Sequence, residues 1–281
     1  KEFGYQGDVR IELDRGGIKN PTIIRFKDRA IGMSYNDIEQ KLMSYFKVTT
    51  TTQRSMFGKG FKDCLALGDI TIQSVKKDEK GKLRYSEVFF AGIRTENKNE
   101  IRYQDSEIDK EILNRLGTNK ARVEHIVEIS IPPEANHKYA MPQVDNIKER
   151  LPNHYALSRL MDRDNGNLKV TFVNSKDKPE LLTYVRPEAK IVFDDKTIFK
   201  VNDKNNPDGV EATLKIWKLD EPIENDDNNP RFKKLGISVY SAKGCHAKNF
   251  LDKKIENDDY RKKYFGELQC SYIYELAKEY N

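Results

Sequence analysis

The strongest constraint on the fold is a series of short apolar runs of period two, separated by turns that contain glycine or proline. Val9, Ile11 and Leu13 alternate with polar residues, the segment RGGIKNP follows, and a second short run contains Ile23 and Phe26. Alternation of this kind indicates strands with one buried face, and the turn between them predicts a hairpin. The segments DITIQSV, RYSEVFFAGI and VEHIVEISI predict further strands in the first half of the chain.

Helices are predicted where the apolar period changes to three or four residues. Ser34 has an acidic residue, Asp37, three positions later, which is the spacing of a capping box, and Ile38, Leu42 and Phe46 then lie on one helical face. A second helix is predicted from Ser106 to Leu116, with Gly117 as its terminator, and Gly81 is predicted to lie in a hairpin loop.

The segment PPEANHKYAMP lacks both periods and is interpreted as a domain boundary, which gives domains at 1–131 and 135–281. The second part predicts a helix from Gln143 to Met161 interrupted at Pro152, several strands, and a final strand followed by a helix. Both parts mix helices with hairpin-joined strands. The predicted fold class is α+β, with sheets that carry helices on one face.

Composition excludes several classes of protein. Fifty Lys and Arg residues are interleaved with 45 Asp and Glu residues and not collected into a stripe, so the net charge of +5 is at most a weak indication of binding to nucleic acid and names no partner. No run approaches the ~20 apolar residues that span a bilayer, and the start resembles no signal peptide. Three widely spaced cysteines favour neither a disulfide framework nor a zinc site. We therefore expect a cytoplasmic protein with no membrane partner.

Isolated histidines and aromatic residues are given structural interpretations. The histidines have no metal-ligand spacing, and His125, inside an alternating strand, is predicted to be a half-exposed structural residue. Trp217, Tyr240 and Tyr272 would suit a base-stacking platform, but aromatic residues in alternating strands usually form core.

The most informative segment for function is a strand, an aspartate, a glycine and a capped helix, in IIRFKDRAIGMS. A carboxylate at a strand end, Asp28, can accept a hydrogen bond from the exocyclic amine of a purine. Gly32 allows the backbone to approach the base, and Met33 can line an apolar slot. The alternative is that Asp28 is an ordinary solvated residue at a strand end.

A glycine pair follows in SMFGKGFKDCLALGD, where Gly58 and Gly60 open a predicted short helix. Backbone N–H groups at the start of a helix favour phosphate, and Lys59 adds positive charge. Considered alone, a glycine pair of this kind is more often an ordinary turn.

Together these two segments resemble the GHKL superfamily of Bergerat-fold ATPases, which includes DNA gyrase B, heat-shock chaperone ATPases, histidine kinases, MutL and MORC proteins. The family has an Asp-x-Gly-x-Gly adenine box, a mobile lid and a glycine-rich phosphate box, and the order and spacing here are similar. The resemblance implies a Bergerat α/β sandwich, with helices on one face of a mixed sheet, followed by a transducer-like domain.

The same resemblance implies roles for particular residues. Asp28 would bind the adenine amine, Gly32 and Met33 would form the floor of the base pocket, and residues 47–57 would form the lid. The phosphates would lie against four consecutive residues, Gly58, Lys59, Gly60 and Phe61. Ala30 stands where the adenine box has its first glycine, and Ser55 stands where the phosphate box has its first glycine.

In this family a helix that precedes the first strand carries the catalytic glutamate and a magnesium ligand. Only KEFGYQG precedes DVRIEL here, so we expect the general base to lie upstream of this sequence, and no catalytic residue is assigned within it. The implied function is ATP binding with Mg²⁺, and hydrolysis, as a conformational switch coupled to the second domain. The resemblance also implies a homodimer of the intact protein and a DNA or protein client. The alternative function is a catalytically silent scaffold for nucleic acid or a protein partner.

Overall fold

A computed structural model gives the fold of the chain. It describes residues 7–40, 63–92, 100–133, 142–175, 177–201, 206, 208–223, 228–229, 231–241, 244–249 and 262–279. The chain divides into two compact units, each formed from two segments. Unit 1 comprises residues 1–145 and 167–182, and unit 2 comprises residues 146–166 and 183–281. The predicted domains at 1–131 and 135–281 differ from these units chiefly in residues 167–182, which return to unit 1.

Unit 1 is built on an eight-stranded sheet in the order β5-β4-β3-β6-β2-β1-β7-β8. Its neighbouring strands are antiparallel except for β1 and β7, which are parallel. The strands are β1 (Gly7–Asp14), β2 (Thr22–Asp28), β3 (Asp69–Lys77), β4 (Leu83–Phe90), β5 (Ile101–Glu107), β6 (Glu124–Ile131), β7 (Leu168–Asn174) and β8 (Glu180–Leu182). The predicted hairpin between residues 9 and 26 is confirmed as the antiparallel pair of β1 and β2.

Two helices of unit 1 have both ends among the described residues, and the start of one was predicted wrongly. Helix α1 (Tyr35–Ile38) begins after Ser34, as predicted. Helix α2 (Lys110–Arg115) begins after Asp109 and not at Ser106, because the Asp109 side chain accepts the N–H of Ile112 and Ser106 belongs to β5. The glycines predicted to end α2 and to form the hairpin loop, Gly117 and Gly81, both have positive φ angles.

The two faces of this sheet carry different clusters of apolar side chains. One face carries a cluster that includes Ile70, Ile72 and Ile129, against which Ile38 of α1 is fully buried. The opposite face carries Val75, Tyr85 and Ile126 under Ile112 and Leu116 from the α2 region. The described helices therefore lie on both faces, which differs from the prediction of helices on one face only.

Unit 2 contains a five-stranded sheet in the order β12-β11-β13-β10-β9, in which only β11 and β13 are parallel. Its strands are β9 (Ala189–Phe199), β10 (Val210–Leu219), β11 (Gly236–Ser241), β12 (Gly244–Asn249) and β13 (Tyr264–Gln269). Trp217 and Phe265 stack with their ring centroids 5.4 Å apart. Because Trp217 and Tyr240 are both buried, the prediction that these aromatic residues form core is confirmed for them.

Two further helices with described bounds are α3 (Val144–Asn153) and α4 (Tyr272–Glu279). Helix α3 ends one residue after Pro152, and residues 154–160 form turns, so the predicted continuation of a helix to Met161 does not form. Both sheets are mixed and strands outnumber helices, so the chain belongs to the mixed α and β class. Within the described part of the chain, no helix is both long and apolar enough to cross a membrane.

Candidate functional site

Asp28 is the last residue of β2 and is half-buried. Its Oδ1 atom accepts the N–H of Ala30 at 2.8 Å, which fixes the carboxylate over the turn that leaves the strand. Its Oδ2 atom has no hydrogen-bond partner among the described residues. One carboxylate oxygen is therefore held by the chain, while the other is available to a donor.

Strand pairing places Asp28 in a polar row that runs across the sheet. Asp28 is the register partner of His125 in β6, and His125 is in turn the partner of Ser74 in β3. Directly opposed residues of antiparallel strands have Cβ atoms about 5 Å apart on the same face. The row continues through Ser86 to Asp105. It borders the apolar rows that contact α1, so polar groups line the edge of that core face.

His125 lies between Asp28 and Ser74 in this row. Its Nδ1 atom is buried and has no hydrogen-bond partner among the described residues. Burial lowers the pKa of the imidazole, and the nearby Asp28 carboxylate opposes this effect. We therefore expect a neutral imidazole at pH 7, which carries one N–H donor and one acceptor nitrogen.

The turn after Asp28 lies against β3. Gly32 has a φ of +71°, and a Cβ atom added there would overlap the carbonyl oxygen of Val75. The N–H of Met33 donates to Ser74 Oγ at 2.6 Å, and Ser74 is fully buried. Glycine is thus required because the loop and the backbone of β3 approach too closely for a side chain.

The capping box predicted from Ser34 and Asp37 is confirmed. Ser34 Oγ accepts the N–H of Asp37 at 3.3 Å, and Asp37 Oδ2 accepts the N–H of Ser34 at 2.9 Å. Lys76 Nζ also donates to Asp37 Oδ2 at 2.5 Å, from the same face of β3 as Ser74. These bonds join the start of α1 to β3 and hold the loop that follows Asp28 at both ends.

Of the other residues predicted for the site, the structure describes some and not others. The Met33 side chain packs, partly buried, against the apolar cluster that contains Ile38. The predicted lid at 47–57 and the predicted phosphate residues Gly58, Lys59, Gly60 and Phe61 lie outside the described residues. The structure thus brings Asp28, Gly32 and Met33 into one turn and leaves the assignment of the phosphate residues as a prediction.

Sequence analysis missed two members of the row, His125 and Ser74. His125 is a partly exposed strand residue, as predicted, but its Nδ1 atom is buried. Alternation with Val127 and Ile129 places His125 on the core side of β6, which is a signal the sequence contains. Its proximity to Asp28 depends on pairing across 97 residues, and no local pattern specifies that pairing.

The arrangement combines a carboxylate acceptor, a neutral imidazole and a turn without a side chain at Gly32. Such a set is suited to binding the polar edge of a flat ligand. Directional hydrogen bonds fix the position of the ligand's ring, and apolar side chains then contact the ring. Among the described residues, no group of three or more His, Cys, Asp and Glu side chains is arranged to hold a metal ion.

Comparison with known proteins finds a similarity in structure. No family model matches the sequence, and no curated protein matches it. Among solved structures, the chain is similar to the N-terminal domain of a DNA repair protein, with a TM-score of 0.54 and 9% sequence identity. That similarity covers 94% of this chain and 78% of the other. At this identity, the comparison shows a shared fold and nothing about activity.

Proposed function

We propose that the chain binds ATP through unit 1, with the adenine against Asp28, and uses binding and hydrolysis as a conformational switch for its second domain. The observation that carries this proposal is the Asp28 carboxylate, which the turn holds at a strand end with Oδ2 unpaired among the described residues. The exocyclic amine of adenine is a donor that such an oxygen accepts.

The surroundings of Asp28 are compatible with a purine. The partly buried Met33 side chain offers a polarisable apolar surface in the same turn, and Gly32 contributes no side chain that would obstruct the base. The phosphates, with Mg²⁺ as their counter-ion, are proposed to bind at Gly58, Lys59, Gly60 and Phe61, as the family resemblance implies. This part of the proposal rests on the sequence alone.

Replacing Asp28 with asparagine is expected to remove the stabilisation that nucleotide gives to the protein. Saturation at 100 times the dissociation constant stabilises a folded protein by ~2.7 kcal/mol, which raises Tm by roughly 5 °C or more. The asparagine side chain still offers an oxygen to the N–H of Ala30, but it cannot match a carboxylate as an acceptor for the amine. The measurement is thermal unfolding with and without Mg-ATP or a non-hydrolysable analogue.

The matched control is Asp8→Asn, because Asp8 is an exposed aspartate of the adjacent strand β1. It lies next to Val9, the register partner of Asp28, and on the opposite face of the sheet. We expect Asp8→Asn to show the full shift with nucleotide. An equal shift in Asp28→Asn and Asp8→Asn would contradict adenine binding at Asp28, and no shift in the unchanged protein at millimolar nucleotide would contradict ATP binding.

A second candidate function is binding to DNA, which the structural similarity to a domain of a DNA repair protein favours. If basic residues of this chain contact DNA phosphates, each contact releases counterions, and the logarithm of the affinity falls with the logarithm of salt concentration. We expect duplex DNA to bind at about 50 mM salt, with affinity at least roughly tenfold lower at about 200 mM. Absence of binding at the lower salt concentration, measured by fluorescence anisotropy, would contradict this function.

A further inference from the structure

The orphaned nitrogen of His125 has no explanation in the architecture of the sheet. Buried polar atoms in folded proteins are nearly always hydrogen-bonded, so a buried nitrogen without a partner indicates a group that is satisfied by something else. Here the atom is Nδ1 of His125, which has no partner among the described residues and lies near the start of a strand whose backbone pairs on both sides.

Neither neighbour in the row satisfies this nitrogen. On one side, Asp28 uses Oδ1 to accept the N–H of Ala30. On the other side, Ser74 Oγ accepts the N–H of Met33. Both neighbours thus form hydrogen bonds with the same loop. The imidazole between them keeps an unsatisfied nitrogen. Beside it lies the Asp28 carboxylate, which has one oxygen unpaired within the described part of the chain.

We propose that His125 is a second base-contacting residue, which donates its Nδ1–H to a ring nitrogen of adenine while Asp28 accepts the neighbouring amine. This inference rests on the proposed function and names the groups that select the base. The two residues are register partners on one face of the sheet, so their side chains are adjacent, as are the amine and the ring nitrogen of the base.

With the base held in one orientation by its sugar and phosphates, the pair of groups distinguishes adenine from guanine. Adenine presents its amine next to a ring acceptor on both of its polar edges, at N1 and at N7. Guanine has the carbonyl oxygen O6 in place of the amine, and this oxygen would face the Asp28 carboxylate with no proton between them. A polar site that leaves its groups unpaired rejects the wrong ligand strongly, so guanine nucleotides should bind at least roughly tenfold more weakly.

The test is isothermal titration of the full chain with ADP, GDP, 1-deaza-ADP and 7-deaza-ADP, for the unchanged protein and two variants. His125→Leu removes the polar nitrogen, and His125→Asn keeps an amide nitrogen near the position of Nδ1. We expect His125→Leu to bind ADP roughly tenfold more weakly, since one hydrogen bond is lost, and His125→Asn to retain most of the affinity. One of the two deaza analogues should bind the unchanged protein as weakly as ADP binds His125→Leu.

The same analogue should bind the unchanged protein and His125→Leu equally, because the two changes remove the same hydrogen bond. Which analogue shows this behaviour identifies the edge of the base, and either edge supports the proposal. Equal binding of ADP, 1-deaza-ADP and 7-deaza-ADP to the unchanged protein would overturn the role of His125 without requiring that His125→Leu folds.

The outcome also separates this inference from the proposed function. If ADP binds and Asp28→Asn abolishes binding while His125→Leu leaves the affinity unchanged, only the role of His125 is overturned. A purely structural His125 predicts that result, together with unchanged or increased stability of His125→Leu, because a buried unpaired polar atom is removed. If ADP does not bind the unchanged protein at all, the proposed function fails and the inference fails with it.

Discussion

Replacing Arg186 with leucine is expected to destabilise unit 2 by about 2–4 kcal/mol, because it leaves a buried carboxylate without its cation. Arg186 Nη2 lies 3.0 Å from Glu267 Oε1, and its Nε lies 3.7 Å from Asp162 Oδ2. The Asp162 side chain is only 4% exposed. The guanidinium carbon also lies 4.8 Å from the centre of the Trp217 ring, so the substitution removes a cation–π contact as well.

The control for this prediction is Arg163→Leu, the same chemical change at an exposed pair. Arg163 Nε lies 3.4 Å from Asp164 Oδ1, and both side chains are largely exposed, at 62% and 71%. Exposed ion pairs contribute little, so Arg163→Leu should change stability by less than ~0.5 kcal/mol. Urea unfolding followed by the fluorescence of Trp217 reports on unit 2. Equal costs for the two substitutions would show that Asp162 is not held by Arg186.

A second substitution isolates the uncompensated charge. Asp162 Oδ1 accepts the N–H groups of Asp164 and Asn165, both at 3.0 Å, and an asparagine side chain in its place retains an oxygen that can accept them. We therefore expect Asp162→Asn to recover part of the stability lost in Arg186→Leu, since it removes the charge and keeps the turn. If the double variant were less stable than Arg186→Leu, loss of packing on Trp217 would be the larger effect.

Local features of the fold were predictable from the sequence. The hairpin of β1 and β2, the capping box at Ser34 and the positive φ at Gly81 each depend on residues close together in the chain. Their interactions form between near neighbours, so residue type and spacing specify them. The helix start at Asp109 was missed because Ser106 and Asp109 are both good capping residues, and only strand pairing of β5 decides between them.

Features that depend on distant pairing were not predictable. β5 was missed because it is an edge strand whose apolar residues Ile101 and Tyr103 are exposed, so it lacks the pattern of a strand with one buried face. The parallel pairing of β7 with β1 joins residues about 160 positions apart. The prediction of the candidate site was limited in the same way. Asp28 and Gly32 were predicted from a local motif, and His125 was not.

Replacing Gly32 with alanine is expected to cost about 3 kcal/mol, more than the same change at Gly17 or Gly81, which also have positive φ. Gly17 and Gly81 have φ angles of +68° and +77° and no atom within 4 Å of an added Cβ. Alanine at those positions carries only the strain of the left-handed conformation, about 1–2 kcal/mol. At Gly32 the methyl group also overlaps the Val75 carbonyl, and backbone atoms cannot move away cheaply.

Comparing the three variants by urea unfolding therefore separates backbone strain from close approach. If Gly32→Ala cost no more than Gly17→Ala and Gly81→Ala, the loop would not lie against β3 as described. The additional cost expected at Gly32 also affects the site. The methyl group can be accommodated only if the loop moves away from Ser74, and this movement weakens the hydrogen bond that the N–H of Met33 donates to Ser74. The turn that fixes Asp28 moves with it.

Gly32→Ala should consequently lose affinity for ADP, under conditions where the variant is still folded, while Gly17→Ala binds ADP as the unchanged protein does. The reason is that the proposed base contact requires the Asp28 carboxylate to remain beside His125, and the loop holds that carboxylate through Ala30. A roughly tenfold loss corresponds to about 1.4 kcal/mol, well within the cost of displacing one charge-assisted hydrogen bond. Unchanged affinity in a destabilised Gly32→Ala would mean that the loop supports the fold and takes no part in binding the base.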